Sequence, residues 1–183
     1  MEGAPGVRLR RAGADDAVAI AHLHADSWRR HYRGAYSDTF LDGDVLEDRL
    51  ATWGHRLASP SSETFTVVAE KESTLVGFGH VVFDDDPTWG SLLDNLHVIH
   101  DAHRSGIGTR LLASVAEAAV ERASNAGLYL WVLEQNVAAQ RFYQARGGVF
   151  VERALLDPPG GIPSRMNGSP LKLRYAWPRS SAL

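Results

Sequence analysis

The segment HRSGIGT, residues 103–109, combines two glycines with two basic side chains and two hydroxyl groups. It stands directly before a long run in which apolar residues recur at helical spacing. The first turn of a helix leaves N–H groups without intrahelical acceptors, at the positive end of the helix dipole. Because glycine lacks the Cβ atom that would keep an anion away, this glycine turn could hold a phosphate or a diphosphate. The glycines could equally serve only to allow a sharp connection between two elements.

Two common phosphate-binding motifs do not fit the glycine turn. A Walker loop requires a lysine followed by serine or threonine after its second glycine, and neither follows Gly108 in that arrangement. The dinucleotide fingerprint requires a third small residue, at the position where Leu111 stands. The sequence therefore disfavours a nucleoside triphosphate or NAD as the ligand.

Three histidines precede or open the glycine turn at intervals of three residues, namely His97, His100 and His103. Histidine is a common metal ligand, which makes a metal site one interpretation of this spacing. The segment passes from a predicted strand into a turn, however, so the three rings need not converge. Since the chain also contains no H-E-x-x-H motif, we predict no metal site.

The composition limits the classes of function. The 183 residues are 44% hydrophobic and 22% charged, which is typical of one globular domain, and we expect a single domain over residues 1–183, ordered from about residue 5 to 178. A net charge of −3 gives no reason to expect a nucleic acid partner. The absence of cysteine excludes disulfides and thiolate nucleophiles. No apolar run resembles a signal peptide or a membrane span, so we expect a cytoplasmic protein without a membrane partner.

Hydrophobic periodicity predicts the elements that position these residues. Alternating residues predict strands, and apolar residues at helical spacing predict helices. The predicted strands are residues 7–11, a hairpin within 64–83, 91–98, 128–133, 149–153 and 171–177, and the predicted helices are 17–31, 42–58, one from Thr109 and one from Asn136. The order β-α-α-β-β-β-α-β-α-β-β indicates a mixed α/β domain rather than a regularly alternating doubly wound sheet.

Extended in both directions, the glycine turn resembles the acyl-CoA motif of the GNAT superfamily of acyl-CoA-dependent N-acetyltransferases. That motif runs from a strand ending in valine through (Gln/Arg)-x-x-Gly-x-(Gly/Ala) into a long helix, and here Val98 ends the strand and residues 103–108 have the required length. His103 replaces the leading Gln or Arg, His100 stands where proline is frequent, and Arg104 where glycine is frequent. These departures are modest, because the family holds the diphosphate mainly through backbone N–H groups.

A second motif lies at the expected distance downstream. Residues 136–148, NVAAQRFYQARGG, resemble the family segment N-x-x-A-x-x-(F/L)-Y-x-x-x-G-(F/G). The preceding LYLWVLEQN, the N-terminal HADSWRRHYRGAYSDTFLD and the terminal LRYAW are similar to one group of bacterial members. The resemblance covers nearly the whole chain. It implies a GNAT-like fold, in which a central mixed sheet with two splayed parallel strands is flanked by helices, and an acyl-CoA-dependent N-acetyltransferase activity.

The resemblance also implies acetyl-CoA as the co-substrate and no metal. The pantetheine arm would enter between the strands LDNLHV and LYLWVLE and pair with the backbone of the first, like an added strand. The implied cofactor-binding residues are Leu96, His97, Val98, His103, Arg104, Ser105, Gly106, Ile107, Gly108, Thr109, Asn136, Ala139 and Tyr143.

Two catalytic roles follow from the same resemblance. Tyr143 would direct its hydroxyl at the thioester sulfur and supply a proton or hydrogen bond to the departing thiolate. The backbone N–H of Val98 would donate to the carbonyl oxygen as that oxygen gains negative charge. Taken without the motif, a tyrosine in a helix is more often a packing residue.

The base that accepts the amine proton stays open between two carboxylates. An amine with a pKa near 10 needs a base or a water chain to lose its proton. Many family members place a glutamate early on the first splayed strand, where this chain has Leu92. Asp94 lies two residues further on, on the same face by strand alternation, and Glu134 ends the other splayed strand. Either could orient a water or bind the amine, or could be a solvated carboxylate, and His80 is a weaker candidate.

The acceptor pocket of the family lies opposite the cofactor, between the first helices and the loop that joins the last two strands. The corresponding candidates are His24, Trp28, Tyr32, Tyr36 and Arg165. The aromatic residues could equally belong to the core. An aromatic pocket favours the primary amine of a small molecule, while a peptide or protein amine and a non-catalytic acyl-CoA-binding module are the alternatives. Homodimers are common in the family, so a homodimer is an open alternative to a monomer.

Overall fold

The computed structural model describes residues 6–59 and 61–179, and the order predicted at residue 5 lies outside the described residues. Within those ranges the chain forms seven strands and five α-helices. The strands are β1 (Val7–Arg11), β2 (Thr64–Lys71), β3 (Thr74–Asp86), β4 (Gly90–Val98), β5 (Leu128–Leu133), β6 (Val149–Leu155) and β7 (Leu171–Trp177). The helices are α1 (Ala17–His31), α2 (Asp38–Asp42), α3 (Val45–Ala58), α4 (Ile107–Arg122) and α5 (Val137–Gln144).

The seven strands form one mixed sheet in the order β1-β2-β3-β4-β5-β7-β6. The pair β4–β5 is parallel, and the other neighbouring strands are antiparallel. A parallel pair needs a crossover connection, which α4 supplies here. The predicted mixed α/β class with one pair of parallel central strands is confirmed.

The two parallel strands part soon after they begin. Their pairing comprises Ser91 with Leu128 and Leu92 with Tyr129, although β4 continues to Val98 and β5 to Leu133. At the start of the pair, a side chain on Gly90 would lie 2.3 Å from the carbonyl oxygen of Gly127. This close backbone approach requires glycine and holds the strands together at one end, so a gap opens towards their carboxyl ends.

Helices cover both faces of the sheet, as the alternation along β2 shows. Val67 and Ala69 pack into a core cluster with α4, whereas Val68 between them packs into a second cluster with α1 and α3. Successive residues of a strand point to opposite faces, so α4 lies on one face, and α1 with α3 on the other. Both α1 and α4 also contact β4, the strand that borders the gap.

The structure differs from the sequence prediction at several element boundaries. A five-residue helix, α2, occupies part of the segment that was predicted as a connection, and the Ser37 hydroxyl caps it by accepting from the Phe40 N–H. Strand β3 runs through the acidic residues to Asp86, and α4 begins at Ile107 rather than Thr109. One helical turn is too short to show a hydrophobic period. Among the described helices none is both long and apolar enough to cross a bilayer.

Candidate active site

The glycine turn leads into α4 with its backbone donors uncovered. Gly106 is the N-cap of α4 and has a φ of 82°, a left-handed conformation that favours glycine. A Cβ atom at Gly106 would meet no other atom within 4 Å, so this end of the helix faces open space. No side chain caps the helix, and within the described residues the N–H groups of Ile107, Gly108 and Thr109 have no backbone acceptor. This arrangement fits an anion, because the first N–H groups and the helix dipole point at it.

The side chains around the glycine turn are arranged by a few specific contacts. His103 Nε2 lies 3.0 Å from the carbonyl oxygen of Val98, which ties the turn back to the end of β4. Arg146, which the sequence analysis did not select, donates from Nε to Thr109 Oγ1 at 2.9 Å and stacks 4.0 Å above the Phe142 ring. The same ring lies 3.4 Å from where a Gly108 side chain would begin. The second motif therefore supports the first, and Arg146 adds a cation that neither motif specifies.

The three histidines at intervals of three residues do not form one site. His97 Nδ1 lies 2.8 Å from the Ser27 hydroxyl of α1, while His103 contacts the Val98 carbonyl. The His100 ring is next to the His103 ring, at 5.3 Å between centroids. In the described parts of the chain, no group of three or more histidine, cysteine or acidic residues could hold a metal ion.

The second half of β4 borders the gap with an edge that has no strand partner on the β5 side in the described structure. Leu96 and Val98 lie towards α4, since they line the space beside Gly79 and Gly77. His97 points to the opposite face, where its ring lies 4.7 Å from that of His24. The predicted pantetheine-binding residues of β4 thus lie between two packed layers, and their backbone borders the gap.

Tyr143 lies on α5 with 9% of its surface exposed, against the rings of Phe142 and Trp177. Burial raises the pKa of Tyr143 above its usual range, and the nearby phenol of Tyr32 raises it further. The hydroxyl therefore keeps its proton at neutral pH. Asn136 begins the helix, because its side-chain oxygen accepts from the Ala139 N–H at 3.2 Å. Two residues of the second motif thus position the helix that carries Tyr143.

The two candidate base residues have different surroundings. A register shift in the pairing of β3 with β4 leaves Asp94 as the extra residue of a β-bulge. Its carboxylate accepts from Arg56 of α3 at 2.8 Å and from the Asn95 amide at 2.7 Å, on the face that α1 and α3 cover. Glu134 instead pairs with Arg153 of the outermost strand β6, at 2.7 Å. Asp94 is therefore the carboxylate that lies with the acceptor candidates.

His80 and His24 are buried polar residues beneath that face. The His80 ring has a hydrogen bond of 2.7 Å with the Thr66 hydroxyl, and burial, aided by Arg56, lowers its pKa to about 4. His24 Nδ1 accepts from the Trp53 indole at 3.0 Å, and burial together with His97 lowers its pKa well below the usual value. Both residues are therefore neutral at pH 7, and His24 supports the wall of the site from within.

The remaining acceptor candidates lie together, and Trp28 and Tyr36 belong to a buried hydrophobic cluster, as the alternative interpretation of these aromatic residues as core expected. Tyr32 stacks between Trp28 and Tyr36, with ring centroids 5.4 Å and 4.7 Å away. Arg165, in the loop between β6 and β7, lies 4.5 Å above the Phe40 ring. The acceptor cluster, as we call it here, consists of Trp28, Tyr32, Tyr36, Phe40, Arg49 and Arg165. Arg49 was not predicted, and its guanidinium lies 4.2 Å above the Trp28 ring.

One backbone hydrogen bond and one side-chain amide hold the loops of the acceptor cluster in place. The Ser37 N–H donates to the Arg165 carbonyl at 2.8 Å, which joins the loop after α1 to the loop after β6. The Gln135 amide, also not predicted, donates to the carbonyls of His31 and Arg33 at 3.0 and 2.8 Å. The end of α1 is thereby fastened to the end of β5.

Two clefts open beside these elements. One of about 360 Å³ lies at the end of β5 and is lined by residues that include Gly34, Glu134, Gln135, Asn167 and Leu171. The other, of about 240 Å³, lies between α1 and the glycine turn and is lined by residues that include Asp26, His31, Val98 and His103. One cleft thus adjoins the acceptor cluster and the other the glycine turn.

Comparisons with known proteins give the family and similar folds. The family model described as "Acetyltransferase (GNAT) family" matches residues 21–148. The chain is 26% identical over 141 residues to the uncharacterised N-acetyltransferase YuaI of Bacillus subtilis (strain 168), covering 76% of this chain and 78% of the relative. The PaiA N-acetyltransferase of Thermoplasma acidophilum, solved with coenzyme A, has a similar fold, with a TM-score of 0.72 and 18% identity over 93% of this chain and 99% of that one. YncA, a putative acetyltransferase of Salmonella typhimurium solved with acetyl-CoA, gives a TM-score of 0.65 and 16% identity over 94% and 93%.

Proposed function

The chain belongs to the acetyltransferase (GNAT) family of acyl-CoA-dependent N-acetyltransferases, and from this premise we propose that it acetylates the primary amine of a small molecule by direct transfer from acetyl-CoA. The observation that carries the proposal is the gap between β4 and β5, which has the glycine turn on one side and the acceptor cluster on the other. The family membership confirms the resemblance that the two sequence motifs indicated.

On the donor side, backbone groups do most of the binding. The uncovered N–H groups of residues 107–109 bind the diphosphate, and the open edge of β4 pairs with the pantetheine amides. Acetyl-CoA supplies an acyl group activated as a thioester. Because these contacts use the backbone, they do not require the Gln or Arg that His103 replaces.

At the reaction centre, side chains of the protein accept and donate the protons of the reaction. The amine nitrogen forms a bond to the acyl carbon, and the carbon–sulfur bond then breaks. The amine proton passes through water to the carboxylate of Asp94, which lies with the acceptor cluster. Tyr143 donates its hydroxyl proton to the departing thiolate, and the raised pKa of Tyr143 keeps this proton available at neutral pH.

The acceptor cluster favours a small molecule over a protein tail. The loops after α1 and β6 are joined by backbone hydrogen bonds, and three aromatic rings of the cluster lie within 5.4 Å of a neighbouring ring. Trp28, Tyr36 and Phe40 are buried, so the partly exposed Tyr32 is the ring of the cluster that a compact amine contacts. The homodimer and the cytoplasmic location expected from the sequence stay predictions.

Two measurements test the proposed function. Acetyl-CoA at a hundred times its Kd should stabilise the fold by about 2.7 kcal/mol, which a thermal shift detects. Thiol release should then be measured with a panel of small amines beside a panel of peptides. A missing thermal shift contradicts acetyl-CoA as the donor, and turnover of peptides alone contradicts the small-molecule acceptor. Binding without thiol release from any amine would identify a non-catalytic module.

A further inference from the structure

Two arginines of the acceptor cluster share one carboxylate, and from this arrangement we propose that the acceptor amine also carries a carboxylate group, which Arg49 binds together with Arg165. The inference rests on the proposed function, since it defines the class of amine that the same site accepts.

The first observation is a charge imbalance within a largely buried group. Asp48 pairs with Arg49 at 2.5 Å and with Arg165 at 2.6 Å. The exposed fractions of the three side chains are 16%, 10% and 18%. Neither arginine forms an ion pair with any other described carboxylate. Asp157, whose charge also affects Tyr36, is 83% exposed and is paired with Lys172. One positive charge of this group is therefore uncompensated.

An uncompensated charge in this position is costly without a further partner. Removing a charge from water costs free energy unless an opposite charge and hydrogen bonds replace the solvent. Burial raises the pKa of Asp48, but the hydrogen bonds from Arg49 and Arg165 outweigh it, so the pKa lies below its usual value. Asp48 is thus ionised at neutral pH and cancels only one of the two charges. A bound carboxylate would cancel the other.

The second observation is that polar groups around Arg49 lack partners. Arg49 donates to Asp48 through Nε and Nη2, and its Nη1 has no acceptor among the described residues. The same holds for the hydroxyls of Tyr32 and Tyr36, and among the described residues none of these three groups is a buried atom without a partner, so solvent or a ligand can reach them. A carboxylate has two oxygens and several lone pairs, so it can accept from a guanidinium and from a phenol together.

The third observation connects this charge with the other groups of the site. The Arg49 charge acts on Tyr32, whose pKa burial and Asp94 raise to about 12 against the effect of Arg49. Tyr32 in turn raises the pKa of Tyr143. Trp28 connects Arg49 with Tyr32, since Arg49 lies 4.2 Å above its ring and the Tyr32 ring centroid is 5.4 Å away. A site that holds both an arginine and the base Asp94 matches an acceptor with both a carboxylate and an amine.

The test compares amines that differ only in the carboxylate. Each α-, β- and γ-amino acid is assayed with acetyl-CoA beside its own amide and beside the amine that lacks the carboxyl group. We expect kcat/KM to be about ten- to a hundredfold higher for the carboxylate-bearing member at the preferred spacing, as for hydrogen bonds between charged groups. Arg49→Met should abolish this preference, whereas the control Arg33→Met changes an exposed arginine and should keep it.

A binding measurement covers the case in which Arg49→Met fails to fold or turnover is too slow. Calorimetry of the protein with CoA compares an N-acetyl amino acid with its amide, and Arg165→Met serves as a second variant that should weaken carboxylate binding. Preferential binding of the carboxylate supports the inference even without turnover. Equal binding of both, or turnover of the amides at equal rates, overturns it while the acetyltransferase function stands. Failure of acetyl-CoA to bind would instead overturn the proposed function.

Discussion

The glycine turn and the acceptor cluster differ in which atoms they present. The glycine turn presents backbone N–H groups, and its His103 and Arg104 side chains are exposed. The acceptor cluster consists of rings and guanidinium groups that come from α1, the segment after α1, α2, α3 and the loop after β6. Backbone donors are the same in any sequence, so a site built from them needs only the right turn. A site built from side chains changes with each substitution, which explains why one region is recognised by a motif and the other is not.

The largest expected effect tests how the acceptor side is held together. His24, His80 and His97 are neutral in the folded chain, and burial lowers the pKa of His80 to about 4 and that of His97 to about 3. The unfolded chain binds these protons near pH 6.5. Stability is therefore complete above pH 6.5 and falls as the pH decreases towards 4, by about 1.4 kcal/mol per pH unit for each histidine.

Urea unfolding between pH 7 and pH 5 measures this loss, which should total roughly 6 kcal/mol over that range. His80→Gln should reduce the pH dependence of the free energy of unfolding by the contribution of one protonated histidine. A free energy of unfolding that stays constant down to pH 5 would show that the three histidines are not held neutral by the fold.

The second effect concerns Tyr143, which lies between the two regions. Tyr143→Phe removes only the hydroxyl, so kcat should fall about a hundredfold because the thiolate loses its proton donor. The Kd for acetyl-CoA, measured by calorimetry, should stay the same. An equal weakening of acetyl-CoA binding would assign Tyr143 to cofactor binding, and an unchanged kcat would remove it from the chemistry.

The third effect tests whether the glycine turn binds acetyl-CoA through its backbone. Gly106→Ala places a Cβ at a φ of 82°, which costs about 1–2 kcal/mol, and extends a methyl group into the open space before α4. Acetyl-CoA affinity should fall about tenfold by calorimetry. Gly6→Ala is the matched control, because Gly6 also has a positive φ with no atom near its missing Cβ. The idea fails if both variants bind acetyl-CoA like the parent chain.

The smallest effect tests the side-chain support of the glycine turn. Thr109→Val removes the acceptor of Arg146 while keeping the shape of the side chain, and should lower the free energy of unfolding by about 1 kcal/mol. Arg146→Met and the double variant complete a mutant cycle. Independent, additive effects of the two substitutions would mean that this hydrogen bond contributes nothing to the fold.

Local patterns predicted most of the elements, because strand alternation and helical spacing are properties of neighbouring residues. Strands β1, β5 and β7 and helix α1 have the predicted bounds. The five-residue α2 was missed because its formation depends on the Ser37 cap and on burial of Phe40 and Leu41. The bulge at Asp94 was also missed, since it arises from a register shift with β3.

The site was predictable in proportion to its dependence on motifs. The glycine turn and Tyr143 belong to spaced patterns that the sequence displays. Arg49, Gln135 and Arg146 belong to none, and an arginine or glutamine in a helix or turn is most often a solvated residue. Their contacts join residues up to 104 positions apart, from Gln135 to His31, which no local spacing indicates.

The sequence by itself determined the family, the acyl donor and the order of the elements. These depend on short residue spacings, which directly specify turns and the starts of helices. Only the tertiary structure decided where β4 and β5 part, which carboxylate lies with the acceptor cluster, and that Arg49 and Arg165 share Asp48. These features arise from packing between distant segments. Packing also removes much of the solvent around the guanidinium groups of Arg49 and Arg165. A charge with little solvent around it favours a ligand of opposite charge.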